Sequence, residues 1–339
     1  MRLTALWALV ESGVGGVLHA FHLPVTGVVV GGTAVVLITL IARFAEHPRS
    51  ILRATLLVLM VKALVSPHSP LGAYVAVAFQ GVAGWAIYSL VRPSLAATGF
   101  FAVVALLESA LQKLLMLTLF FGAPLWQAVD QWGQWVQQQT GVTALPTELS
   151  LSEGLIVAYL SLHLLVALFI GWLAYRLPSA LALERAIVQP RGGPHPLGDT
   201  ATVQPAEPAR GRKGFSRKWL LLGGVLTAVL LYTVTTTEAT SPWLTAGLYL
   251  LRTLLVLIAW FGWVAPALTR AVQCWLLRRR SAYALEVETL LSWLPGFRQQ
   301  ARAQYGLLAQ EHRGLALYRA WLLRIVALAL FTNPPPPRG

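Results

Sequence analysis

"VTGVVVGGTAVVLITLIAR", residues 25–43, passes through eighteen uncharged residues before its first charge, Arg43. A bilayer core takes about 20 residues of helix, so a run of this length without a charge reads as a membrane span. Working outward, further apolar runs lie at about 3–22, 50–66, 71–91, 96–121 and 153–175. A second group lies at about 219–236 and 243–266, with a weaker run at 314–331. The whole chain agrees with this reading. Its 339 residues are 56% hydrophobic and 12% charged, with a mean hydropathy of +0.64, whereas a soluble domain carries about a quarter charged residues. The expected fold class is all-α: a polytopic integral membrane protein with a six-helix N-terminal bundle and a smaller helical C-terminal membrane module carrying cytoplasmic amphipathic helices.

The two groups of spans are separated by "PRGGPHPLGDTATVQPAEPARGRKG", residues 190–214, too rich in Pro, Gly and charge to bury a core. The expected organisation is therefore a membrane module over 1–178, a cytoplasmic linker over 179–218, a C-terminal membrane and coupling module over 219–331, and a disordered polyproline tail over 332–339. The opening "MRLTALWALVESGVGG" has the basic start and apolar stretch of a signal peptide. Glu11 in its apolar part and the lack of a small-x-small cleavage site favour a retained first helix.

A formal charge of +13 would raise nucleic acid as a partner in a soluble protein. Here the basic residues fall between apolar runs, as they do when they orient a membrane protein, and lipid is the expected partner, with no nucleic acid. Arg2, Arg43, Arg49, Arg53, Arg92, Arg176, Arg185 and Arg191 share one side if each run spans. That side is expected to be cytoplasmic in the inner (cytoplasmic) membrane, with the N-terminus inside. The opposite side then holds "LHAFHLPVTG" (18–27), "SPHSPLG" (66–72) and the segment 122–152. Residues 124–141, "PLWQAVDQWGQWVQQQTG", alternate apolar and polar faces at helical spacing and carry three tryptophans, which predicts an amphipathic helix on the outer surface. Ser at the N-cap with Pro following is the expected helix start in "SPLGAY" (69–74).

Three histidines, His19, His22 and His68, converge on the outer face in this reading and could bind a divalent transition metal or an anionic ligand. Lys62, one to two turns below, favours a carboxylate or phosphate over a cation. Polar groups inside spans are costly and tend to face a bundle interior or cavity, which makes Glu11, Gln80, Glu108, Gln112, Lys113 and His163 candidates for a substrate pocket or for a packing network. Ala8, Ser12, Gly16 and Ala20, at four-residue intervals, allow another helix to approach closely. Segment 269–313 is helix-prone and basic, and two amphipathic helices divided near Pro295 are expected along the cytoplasmic face, binding anionic lipid or a cytoplasmic protein through Arg298, Arg302 and Arg313. The single cysteine, Cys274, excludes an intramolecular disulfide and a multi-cysteine metal site. No GxxxxGK[ST], HExxH, GxSxG or dinucleotide fingerprint occurs, so no enzyme activity and no cofactor is expected, and ATP-driven work would need a partner.

Six helices, both ends inside, a small-residue stripe on the first helix and polar outer loops resemble the substrate-binding S component of energy-coupling factor (ECF) transporters. Residues 219–331 resemble a shortened T component, whose coupling helices carry Ala-Arg-small motifs; Ala301-Arg302-Ala303 is the near match and His312-Arg313-Gly314 a looser one. The resemblance implies uptake of a vitamin or transition-metal ion from outside, with His19, His22, Lys62, His68 and Glu108 as contacts. It further implies that the Ala8, Ser12, Gly16, Ala20 stripe faces the coupling module and that Arg302 and Arg313 reach separate cytoplasmic ATPase subunits. A non-catalytic membrane scaffold and a membrane enzyme with an outer-side His metal site remain as alternatives from the residues alone.

Overall fold

The computed structural model describes residues 1–15, 26–66, 69–140, 150–188 and 242–331, and all regular structure among them is helical. The N-terminal helix α1 (Arg2–Leu9) widens into a π-helical turn over Val10–Val14. It is followed by α2 (Thr26–Phe44), α3 (Arg49–Val65), α4 (Leu71–Leu90), α5 (Leu95–Phe121), α6 (Ala123–Thr140) and α7 (Leu151–Val188). The C-terminal part has α8 (Pro242–Ala259), a second π turn at Trp260–Val264, α9 (Ala265–Arg279), a short 3₁₀ turn (Arg280–Tyr283), α10 (Ala284–Glu311) and α11 (Gly314–Phe331).

Six helical stretches are long and apolar enough to cross a membrane: Thr26–Phe44, Leu71–Leu90, Leu95–Phe121, Leu151–Ala182, Gly247–Arg279 and Gly314–Phe331. The chain is thus an all-α, multi-pass membrane protein. The weak run at 314–331 is among the six, and Arg324 inside it is neutralised by Glu184 of α7 at 2.7 Å. Helix α3, at 17 residues and carrying Arg53 and Lys62, is not among them. The run at 219–236, most of the linker and the tail 332–339 lie outside the described residues. The linker's expected start at 179 falls inside α7, which accommodates Pro178 and continues to Val188.

Contacts divide the chain into two compact units. The first comprises Met1–Ala110, Ser161–Thr202 and Gln273–Gly339, and the second Leu111–Leu160 and Val203–Val272. In the first unit α1 is the central helix, packed against α2, α3, α10 and α11. Leu3 through Ala8 are all buried, the mark of a helix enclosed on every side. Close approach elsewhere in this unit uses glycine. Gly81 of α4 meets Thr55 of α3, Gly32 of α2 meets Ile170 of α7, and Gly171 of α7 lies against the backbone of Gly99 in α5. Lipid offers no hydrophobic drive for helix association, so these backbone approaches supply the van der Waals contact that replaces it. Thr39 and Tyr88 share a hydrogen bond of 2.8 Å between α2 and α4.

Helix α10 departs from its expected place. Glu286 near its start pairs with Arg53 of α3, and the Arg298 guanidinium lies 3.7 Å from where a Cβ on Gly13 would stand. The helix therefore runs alongside α1 rather than flat on a surface, and α11 folds back on it, with the Trp321 indole N–H donating to the Ala301 carbonyl at 2.7 Å. The break in this region comes at 280–283, not at Pro295, which α10 passes through. The hydrophobic stripe of α10, with Val287, Leu290, Leu294 and Leu308 buried, is used against protein.

In the second unit Gly122, at φ 71°, turns the chain from α5 into α6. None of the residues of α6 is buried, and Trp132 and Trp135 are exposed. Its Asp130 holds the start of α7, accepting from the Ser152 amide at 2.7 Å and the Ser152 hydroxyl at 3.0 Å. Ser150 and Glu153 complete a capping box there: the Glu153 amide donates to the Ser150 hydroxyl and the Ser150 amide to the Glu153 carboxylate. Phe120 packs edge-on to Trp260 at 6.0 Å between centroids.

Candidate functional site: a buried ion pair at a π-helical turn

Helix α1 reaches its π turn at Val10–Val14, where the extra residue per turn loosens the regular i→i+4 ladder. Glu11 sits in that turn. From α3, which packs on the same helix, Lys62 extends its ammonium to the Glu11 carboxylate at 2.9 Å and to the Glu11 backbone carbonyl at 3.2 Å. The side chains are 1% and 3% exposed, which makes this a fully enclosed ion pair. Desolvating two charges costs several kcal/mol each, and only direct contact with good hydrogen bonding offsets it. The Glu11 backbone carbonyl, in the π turn, supplies one of those hydrogen bonds.

Around the pair the polar accounting is incomplete. Ser12, the next residue in the π turn, is buried, and its hydroxyl has no hydrogen-bond partner among the described residues; the same holds for the indole N–H of Trp7 one turn earlier. Gly13 faces Arg298 of α10, and Gly15 faces Val30 of α2. On α4, Gln80 is buried with its carbonyl oxygen unpartnered among the described residues, and its amide lies 3.1 Å from where a Cβ on Gly31 would stand. Such orphaned atoms are unusual in a native interior.

Among the described residues, the structure brings Lys62 to Glu11 and no other ionisable candidate into an ion pair or hydrogen bond with them. Glu108 of α5 is half-buried, with one carboxylate oxygen enclosed and unpartnered among the described residues. Gln112, one turn on, lies in the second unit, and His163 of α7 is buried in the first. In the small-residue stripe, Ala8 and Ser12 are buried on α1, the helix that α10 and α11 pack against. Arg298, Arg302 and Arg313 are exposed. His19, His22, His68, Gly16 and Ala20 lie outside the described residues. Among the described residues no group of three His, Cys, Asp or Glu side chains is placed to hold a metal ion.

The pairing was legible only in part. Both residues stand out as charges within apolar runs, but Glu11 and Lys62 are 51 positions apart, and the sequence does not fix the angle at which α1 and α3 meet. The SLSE capping box was legible, since the [ST]-x-x-[DE] pattern precedes an apolar run. Asp130 as the third member was not, because its partner lies 22 residues on.

Protein-family models, curated proteins and solved structures, compared with the chain, give no match.

Proposed function

We propose that the protein is the membrane component of a solute uptake transporter of the energy-coupling factor type, binding a small substrate from outside and relying on separate cytoplasmic ATPase subunits. In this reading the N-terminal half is S-component-like and the C-terminal half T-component-like, in the inner (cytoplasmic) membrane with the N-terminus inside. The observation that carries it is the enclosed Glu11–Lys62 pair. A bundle that only has to cohere gains nothing from it, since well-packed apolar side chains of similar volume are as stable or more so. Ionisable groups enclosed among the helices of a membrane protein are costly to keep and are a mark of substrate or ion paths. The orphaned polar atoms of Ser12 and Gln80 lie on helices that join α1 or its neighbours, and they add acceptors and a donor for a polar solute. Packing of α1 against α10 and α11 supports the place of its small-residue stripe opposite a coupling segment.

The substrate class is a vitamin or a transition-metal ion, with His19, His22 and His68 at the outer entrance. An anionic group would bind by taking Lys62 from Glu11. The test is a thermal-shift screen of the purified protein against water-soluble vitamins and against Ni²⁺ and Co²⁺, with copurification from the native membrane. One ligand should raise the Tm of the wild type, leave that of a folded Glu11→Leu/Lys62→Met variant unchanged, and a P-loop ATPase should copurify. A screen without any shift, together with a preparation free of ATPase, removes the reading.

A second reading, a non-catalytic scaffold, is favoured by the fact that Lys62 and Glu11 satisfy one another. It requires the same double variant to leave partner association and cellular function intact.

A further inference from the structure

At the other end of α1 from the ion pair is a cleft of 820 Å³ that nothing above uses. Its polar lining comes from Arg2, Thr4, Ser50 and Arg53, and aromatic walls come from Phe44, Trp293 and Phe331. Four helix ends meet there: the starts of α1 and α3 and the ends of α2 and α11. Two of these, α2 ending at Phe44 and α11 ending at Phe331, are membrane-spanning candidates, so the cleft lies at a bilayer boundary.

The charged side chains that line this cleft are both arginines. The positive ends of the α1 and α3 dipoles are offset by the negative ends of α2 and α11, so the net charge comes from these side chains. Arg53 is shared with Glu286, while Arg2 makes no ion pair among the described residues. A volume of this size suits an amphiphile rather than a bare anion, since drug-sized ligands fill pockets of about 300–1,000 Å³. Trp293 adds an amphipathic ring at headgroup depth.

We infer that this cleft is a binding site for an anionic phospholipid, its phosphate headgroup held by Arg2 and Arg53 and its glycerol and upper acyl carbons lying against Phe44, Trp293 and Phe331. The shared chemistry is a phosphate anion, and the apolar walls select the lipid-borne form over the free one. The inference depends on membrane insertion but not on transport.

The experiment is native mass spectrometry of the full chain released from nanodiscs made of equal parts phosphatidylcholine and phosphatidylglycerol. Phosphatidylglycerol should be retained over phosphatidylcholine by about fivefold per effective arginine, the factor expected for one basic residue near an anionic surface. Arg2→Gln should remove most of that preference and Arg2→Lys keep it, while Arg319→Gln, on the exposed face of α11, leaves it in place. Arg2→Gln does not touch the Arg53–Glu286 pair, so it reads the site without dismantling the fold; an unchanged Tm checks this. Millimolar inorganic phosphate should not strip the lipid. Equal retention of the two lipids by the wild type, or a preference indifferent to Arg2→Gln, overturns the inference. Displacement by free phosphate overturns the lipid assignment and makes the cleft a site for soluble anions.

Discussion

A lysine at 1% exposure and a glutamate at 3% set the terms for single substitutions in this protein. Lys62→Met alone strands a carboxylate in an enclosed turn, and Glu11→Leu alone strands an ammonium. Each should cost about 3–5 kcal/mol, the usual loss when one member of a buried pair is removed. The double variant Glu11→Leu/Lys62→Met should recover most of that loss. Reversible unfolding in mixed detergent micelles measures all three, and two singles that add in the double would mean that the charges are not coupled. Gly171 offers a steric counterpart. A Cβ there would stand 2.7 Å from the Gly99 Cα, a backbone atom that cannot swing aside, so Gly171→Ala should destabilise by about 1–3 kcal/mol in the same assay. Gly247→Ala, inside α8 with nothing within 4 Å of its Cβ, should stabilise by up to about 1 kcal/mol. Both charges were visible in the sequence as intruders in apolar runs. Their partnership was not, because the contact depends on where two helices cross and on a π turn that no residue pattern announces.

Helix α6 is tied at two polar points, the Trp126 indole N–H donating to the Thr118 hydroxyl at 3.2 Å and Asp130 accepting from Ser152. The Asp130 carboxylate is held below its ordinary value of 3.8, first by the Ser152 amide and then by the Ser152 and Ser150 hydroxyls. A lowered value means that the ionised carboxylate is the form the fold prefers, so the anchor is fully present above the ordinary value and is lost as pH falls through the lowered one. Protection of the amides over 123–140, taken relative to the intrinsic exchange rate at each pH, should therefore be steady from neutral pH down to about 4 and fall below it. Asp130→Ala should exchange fast at every pH. An unchanged profile in that variant would mean that α6 is held by its tryptophans alone. The amphipathic pattern of α6 could be read directly, since its periodicity is local. The same logic misplaced α10: its basic, half-apolar pattern fits a surface helix as well as a helix that buries its stripe against α1, and periodicity cannot say whether lipid headgroups or protein will cover that stripe. "SPLGAY" erred more narrowly. Helix α4 starts at Leu71 with Pro70 at the N-cap position, while the Ser69 hydroxyl donates to that of Ser66.

For the whole molecule, six membrane-spanning candidates were legible because length and apolarity are properties of the sequence itself, and each of them matches or extends one of the expected runs. What sequence order concealed is the discontinuity of the first unit, in which Gln273–Gly339 joins Met1–Ala110. Paired cysteines in a Cys274→Ser background test this arrangement. Bifunctional thiol reagents of short reach should link positions 53 and 286, and also 13 and 298. They should not link 53 and 298, since twelve helical residues separate 286 from 298 by roughly 18 Å. A 53–298 link without the other two would place α10 across α1 instead of along it.

The enclosure of α1 has a consequence for biogenesis. Helix α1 acquires two of its four neighbours, α10 and α11, only after roughly 270 further residues have been made. Until then the stretch from Leu3 to Ala8 lacks half of the protein surface that buries it. Nascent chains stalled before residue 284 should accordingly be captured by membrane quality-control proteases, whereas full-length chains escape them.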